Sequence, residues 1–386
     1  MVFFIFLKPI VDLFYSLAVL DYAMLLMLIV YFPFAVKKLG TRVLRIDICV
    51  MLLIAISTAT FLRTFSGVNV YLKIVTGYMM YFLGRGFAKQ LRETKTALVR
   101  AQIIVLAVNL ICLLVGNGFT IWGNAKTFRG LYFYKSDLAI AMIQACSAVL
   151  FFSSNPFYKL AATLAAGIMI LLANSRAAII IYMVVLLVYF LFRRERVTKK
   201  RFEIRLKTIV LSALLVFTAL VLTVAIISLP IFENMNFISF DLTNLFSTSN
   251  LQGRDNVWKG IFAVFNEAGT LQKLFGVDYV SDVYVSPVGA TFDSHNSYVK
   301  LLFSTGYVGL GLYLVFLIFY VKHLNRLNDR ALFYFCLSSL GVFLLQSISQ
   351  ASIAFTQMTW IWMYFAGVSV TAGLTGRAQH RANAGR

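Results

Sequence analysis

The sequence predicts an all-α polytopic membrane protein of about twelve transmembrane helices, with one large outer loop. Three observations carry that prediction. Of the 386 residues, 60% are hydrophobic and only 13% charged, with a mean hydropathy of +0.83. A soluble globular domain averages about 25% charged residues, and a disordered chain is poorer still in apolar ones. The apolar residues fall into stretches near the roughly 20 residues that one membrane crossing needs. The basic residues gather in alternate breaks between those stretches, as cytoplasmic loops do.

The stretches run over residues 1–16, 18–36, 46–63, 68–84, 100–117, 134–153, 158–174, 176–192, 208–229, 297–320, 331–348 and 354–374. They divide the chain into N-terminal transmembrane helices over 1–229, a large loop over 230–296, C-terminal helices over 297–375 and a basic tail over 376–386. The first stretch lacks a basic leader and an A-x-A cleavage site, so it reads as a retained span. Within it, Lys8 and Asp12 lie four apart and are expected to neutralise each other on one helix face.

With the N-terminus inside, the inner breaks hold Lys37, Lys38, Arg42 and Arg45, then Arg85, Lys89, Arg92, Lys95 and Arg100, then Lys159. They continue with the run RRERVTKKRFEIRLK, then Lys322, Arg326 and Arg330, and end with Arg377, Arg381 and Arg386. Together these are 24 of the 35 basic residues. Both termini then lie inside, which requires an even number of spans and favours twelve over eleven. The net charge of +20 is thereby read as loop polarity, and no nucleic-acid partner is expected.

The break from about Pro230 to His295 reverses the charge pattern, with Arg254, Lys259 and Lys273 against seven acidic residues. Its segment DNVWKGIFAVFN places Val257, Trp258, Ile261, Phe262 and Phe265 on one helical face, the pattern of a helix at the membrane interface. The glycines of STGYVGLGLYL, Gly306, Gly309 and Gly311, lie inside an apolar stretch and suggest close helix packing rather than a phosphate loop. Cys49, Cys112, Cys146 and Cys336 sit in apolar runs without C-x-x-C spacing and read as buried apolar side chains. There is no Walker motif, no H-E-x-x-H and no D-x-D pair. Any chemistry is therefore expected to proceed without metal or cofactor.

Two kinds of residue stand out on the outer side. His295, in FDSHNSYVKLLF, meets the last loop residues with Asp293 and Asn296 beside it, and histidine suits proton transfer near neutral pH. A competing reading is an interfacial histidine bonded to a loop carbonyl. Arg63, Arg129, Arg176 and Arg254 are exceptions to the positive-inside pattern. Arg176 follows Asn174 and Ser175 at the start of a span, and Arg254 precedes the loop helix. A guanidinium beside a helix N-terminus is suited to an anion, with snorkelling to lipid headgroups as the alternative.

With those residues located, the chain resembles the bacterial O-antigen polymerase and O-antigen ligase superfamily over residues 100 to 350. SHNSYVKLLFSTGYVGLGLYLVFL is similar to that family's histidine-asparagine element and glycine-rich helix after a long loop. NSRAA and GRDNVW are similar to its Ser-Arg and Gly-Arg elements, and KTFRGLYFYKSDLA to its arginine-bearing outer segment. The resemblance implies a glycosyltransferase C-like fold in the bacterial inner membrane, with the active site facing the periplasm. It implies undecaprenyl pyrophosphate-linked oligosaccharide as donor and a glycan or glycolipid as acceptor, in the lipid bilayer, with a chain-length regulator as a further partner. It maps His295, Arg176 and Arg254 onto catalytic positions. Arg176, Arg254, Arg129 and Asn296 map onto pyrophosphate or sugar binding.

Three functions fit this reading. The first is a polymerase that joins lipid-linked repeat units by metal-independent, inverting transfer. The second is a ligase that moves the glycan to lipid A core. The third is a flippase or secondary transporter, which would place its substrate residues near the bilayer midplane.

Overall fold

The computed structural model describes residues 1–14, 17–39, 43–122, 125–194, 254–279, 284–285 and 291–384. The expected span at 208–229, most of the basic run after Arg194 and the loop before Arg254 lie outside the described residues. In chain order the helices are α1 (Val2–Val11), α2 (Ala18–Leu39), α3 (Arg45–Thr64), α4 (Val68–Gly86), α5 (Leu91–Leu114), α6 (Lys135–Phe152) and α7 (Pro156–Leu172). Then come α8 (Arg176–Arg194), α9 (Arg254–Glu267), α10 (Thr270–Phe275), α11 (Ser297–Leu324), α12 (Arg330–Ser349) and α13 (Thr356–Ala384).

Among the described residues, six helices are long and apolar enough to cross a membrane: α2, α3, α5, α6, α11 and α12. Their outward faces confirm the solvent they need. Phe157, Leu160, Leu164 and Ile168 line one exposed stripe of the shorter α7, and Leu26, Val30 and Phe34 another on α2. Such stripes would drive aggregation in water and are normal against lipid tails.

The first expected span is shorter than the sequence suggests. α1 has ten residues, about 15 Å of helix, against roughly 30 Å of hydrocarbon. Helix α1 stops at Asp12, and a short 3-10 turn, Asp12–Phe14, follows it. It packs along α5. Helices α4 and α13 are long but less apolar because they are enclosed by protein. Trp360, Trp362, Tyr364, Phe365 and Val368 are all buried on α13. The two helices meet closely at glycines. A Cβ on Gly84 would lie 1.9 Å from the Tyr364 carbonyl oxygen, and one on Gly367 would lie 1.9 Å from that of Tyr81.

Helix order sends the basic breaks to the end of the bundle opposite His295, and contacts there tie the breaks together. Lys95 Nζ lies 2.5 Å from Asp329 Oδ2, and Arg85 pairs with the buried Asp47 while its Nε donates to Thr371 Oγ1 at 3.3 Å. The four cysteines are free thiols, three of them buried and Cys112 half-buried, as their apolar settings predict.

The protein is mostly helical, and among the described residues there are two small hairpins that the all-α expectation omitted. β1 (Phe119–Trp122) pairs antiparallel with β2 (Ala125–Phe128), Phe119 opposite Phe128. The Gly123-Asn124 dipeptide between them is a hairpin signal. β3 (Tyr284–Val285) pairs with β4 (Thr291–Phe292) in the large loop.

Helix α11 is broken at Gly306, whose φ of 68° and ψ of −170° are not helical. The break receives the loop. Val277 N donates to Phe303 O at 2.6 Å, and a Cβ on Gly306 would lie 2.3 Å from Leu274. Gly276, at φ 109°, faces the Ser304 carbonyl in the same way. Gly306 therefore packs against the end of α10, the short helix of the loop, as the close-packing expectation holds, while nothing lies within 4 Å of a Cβ on Gly311. The far side of the loop is tied to α3. Thr60 Oγ1 donates to Phe275 O at 2.7 Å, and Arg63 donates to Val277 O at 2.9 Å and to Gly276 O. Arg63 thus serves the loop backbone.

Candidate active site

The strand-like segment before α11 holds His295 between two buried neighbours. Ser294 is fully buried and Asn296 is 8% exposed, whereas His295 is exposed. Asn296 caps α11, its Oδ1 accepting from Tyr298 N at 2.9 Å and Val299 N at 3.0 Å. Its Nδ2 donates to Ile348 O at 3.1 Å. The adjacent Ser297 accepts from Ile353 N at 3.1 Å and donates to Gln350 O at 3.3 Å. The start of α11 is thus bolted to the turn between α12 and α13. Both ends of the Asn296 side chain are engaged within the protein, so Asn296 fixes the backbone that carries His295.

His295 itself has φ 45°. The left-handed region costs a non-glycine residue about 1 kcal/mol or more, and the bonds on either side hold it there. The consequence is an imidazole presented to the outside on a rigid backbone.

Helix α9 supports this loop from one side. Trp258 Nε1 donates to Ser294 O at 2.7 Å, and Val257, Ile261 and Phe265 pack with Phe303 of α11. The apolar face expected to lie on the membrane therefore lies on α11, with Phe262 at its exposed edge. Arg254 opens α9, one turn before Trp258. It is half-buried, and desolvation lowers its pKa from the usual arginine value.

A second left-handed residue precedes Arg176. Asn174, at φ 49°, ends α7, and its carbonyl accepts from Lys135 Nζ at 3.3 Å. The charge of Arg176 acts on Lys135, so two cations converge where α6 and α8 begin. Arg129 donates to Phe133 O at 3.1 Å from one nitrogen, while its Nε is buried without a hydrogen-bond partner. The Arg129 carbonyl accepts from Tyr132 N at 3.1 Å. Burial, then the charges of Asp12 and Asp137, push the Tyr132 phenol well above its usual pKa, so it remains a donor.

Near these corners lies a charge cluster that the sequence reading did not assemble, with Lys8 and Lys300 buried and Asp21 exposed. Lys300, 3% exposed, holds Asp293 at 2.6 Å, two residues from His295. The charges of Asp21, Lys8, Lys300 and Asp137 all act on Lys73 of α4. Lys8 pairs with Asp12, as its spacing predicted, lies 3.5 Å from Asp21 and donates to Thr356 Oγ1 at 3.2 Å. Gln357 Nε2 donates to the Asp137 carbonyl at 3.3 Å. Lys300, which holds the His295 loop through Asp293, and Asp137, in the first turn of α6, thus both act on Lys73. One signal was available in the sequence: Asp21, Lys73, Asp137 and Lys300 are ionisable residues within two turns of the outer ends of largely apolar helices.

Among the described residues no group of three His, Cys, Asp or Glu side chains is arranged to hold a metal ion. Apolar spanning helices and a polar, cation-rich site at one end of the bundle define a multi-pass membrane protein. Residues 160–314 match the family model described as O-antigen ligase, and this match supports placing the protein in the O-antigen ligase and polymerase superfamily that its motifs resemble. The family is one of glycosyltransferase-like enzymes working on lipid-linked glycans. The matched stretch contains Arg176, Arg254 and His295, and Arg129 lies outside it. No curated protein matches the chain.

Proposed function

We propose that the protein is a polysaccharide polymerase of the inner membrane, working at the periplasmic face. It transfers an oligosaccharide from undecaprenyl pyrophosphate to a sugar hydroxyl of a second lipid-linked repeat unit. The observation that carries this reading is His295, exposed and backbone-locked beside a cationic cluster, within the stretch that matches the family.

In the proposed step the acceptor hydroxyl oxygen attacks the anomeric carbon while the bond from that carbon to the pyrophosphate oxygen breaks. The hydroxyl proton passes to the His295 imidazole, which returns it to solvent. The pyrophosphate leaves with the bonding electron pair, and Arg176 and Arg254 neutralise the charge that develops, with Arg129 assisting. A single displacement inverts the anomeric configuration. It needs no metal, because the guanidinium groups supply the charge.

A second reading is favoured by the family model's own description: a ligase, which passes the glycan to lipid A core. A transporter is less well supported, since the charged residues near His295 and Arg176 lie toward one end of the bundle and not at mid-depth. The deciding experiment supplies purified protein with undecaprenyl pyrophosphate-linked repeat units, with and without lipid A core, and resolves the glycolipids on a gel. A ladder from donor alone is expected. Donor consumption only when core is present would replace polymerase with ligase, and no product in either case would overturn both.

A further inference from the structure

The end of the bundle opposite His295 contains a cavity of about 270 Å³ between α3, α11 and α13. Helix α11 runs from beside His295 to this cavity over 28 residues, about 40 Å, so the cavity is separate from the candidate active site. One side of it is cationic, formed by Arg45, Lys322, His323 and Arg326. The other side is apolar, formed by Leu44, Ile46, Phe319 and Leu374. No carboxylate is among the described lining residues.

Asp47, in the first turn of α3, does not serve the cavity. It is 2% exposed and accepts from Arg85, from the Tyr81 hydroxyl at 2.7 Å and from Leu44 N at 2.8 Å. The first residues of α3 form part of the wall, which adds the positive end of a 20-residue helix to the side-chain cations. Gly373 of α13 lets that helix pack closely on the α11 side of the wall, since a Cβ there would come within 3.3 Å of the His323 carbonyl oxygen and 3.4 Å of the Arg326 Cβ.

We propose that this cavity binds the phosphate headgroup of an acidic membrane lipid. Arg45, Lys322 and Arg326 would hold the phosphate, and the apolar wall would take the glycerol and the first acyl methylenes. A free phosphate ion has the same charge chemistry but gains nothing from Leu44, Ile46, Phe319 and Leu374. The position also favours lipid. This is the end that carries the basic breaks, which the charge pattern assigns to the leaflet facing the cytoplasm, where anionic lipids concentrate.

The test is native mass spectrometry of the full-length protein released from mixed phosphatidylglycerol and phosphatidylcholine micelles. Wild type is expected to retain phosphatidylglycerol in preference to phosphatidylcholine. Lys322→Gln and Arg326→Gln should each weaken that retention about fivefold, the effect of one basic residue at a lipid surface, while Arg326→Lys should preserve it. Inorganic phosphate is added in a parallel arm. Displacement of the lipid by millimolar phosphate would reassign the cavity to a soluble anion. Equal retention of both lipids by wild type, or unchanged retention in folded Gln variants, would overturn the proposal. Lys322 is exposed, so its replacement preserves folding even where Arg326→Gln does not.

Discussion

At the scale of single residues, the backbone of His295 is held by what its neighbours do. Ser294 accepts from Trp258, Asn296 caps α11 and Asp293 pairs with Lys300, so the backbone that carries the imidazole is fixed by the residues on either side of it. Replacing it should remove chemistry and spare structure. His295→Ala is expected to lower the transfer rate by 10² to 10⁴, the range for a general base. Melting temperature and donor binding should stay near wild type, as read by differential scanning fluorimetry and by binding of labelled lipid donor. Wild-type turnover in this variant would remove the histidine from the mechanism.

Arg254 gives a pH test. Desolvation lowers its pKa, yet arginine begins so high that it stays cationic through any assay. A lysine at the same position begins near 10.4, and the same desolvation brings it toward the assay range. A cation whose pKa is lowered loses its charge as pH rises through that pKa. Arg254→Lys should therefore lose donor affinity at a lower pH than an ordinary lysine would, with the loss growing as pH rises. The wild-type affinity should be flat over the same rise. A flat profile in the variant would show that the charge at 254 does not touch the donor.

At the scale of elements, most helices were legible because each is an apolar stretch ending in a charge or a turn residue. The exceptions have local physical causes. α1 stops early at Asp12. The hairpin Phe119–Phe128 is too short for an apolar alternation to stand out between two long helices. The Gly306 break was hidden because glycines in an apolar stretch announce close approach without saying to what. Here the partner is the backbone at the end of α10, inside the large loop. Gly306→Ala would add a Cβ 2.3 Å from Leu274 at φ 68°, so overpacking of about 1–3 kcal/mol adds to left-handed strain of about 1–2 kcal/mol. The expected result is a melting temperature lowered by several degrees in detergent. Gly311→Ala, which meets nothing within 4 Å, should leave it unchanged.

At the scale of the molecule, the arrangement separates two polar ends by a layer of packed aromatic side chains. The candidate site was legible in part. His295, Arg176 and Arg254 lie in short motifs. The charges that act together on Lys73, namely Asp21, Asp137 and Lys300, come with it from four helices spread over some 280 residues of chain, and only folding brings them together. Because the proposed charge neutralisation is done by side chains, transfer should persist in EDTA at the untreated rate. Loss of activity that is restored by added divalent cation would require a metal the mechanism does not use.

The facing glycines, Gly276 in the loop and Gly306 in α11, have a further consequence for how this protein varies. Two backbones in direct contact leave no side chain between them to absorb a change, so the joint has no slack. The large loop can exchange charges, lengthen its hairpin or alter its exposed helix face and still be carried by the same scaffold. It cannot gain or lose a residue between Leu274 and Val277 without lifting off the membrane helix that holds it. Natural divergence in this loop should therefore pivot around this short joint, with changes in length and charge accumulating on either side of it.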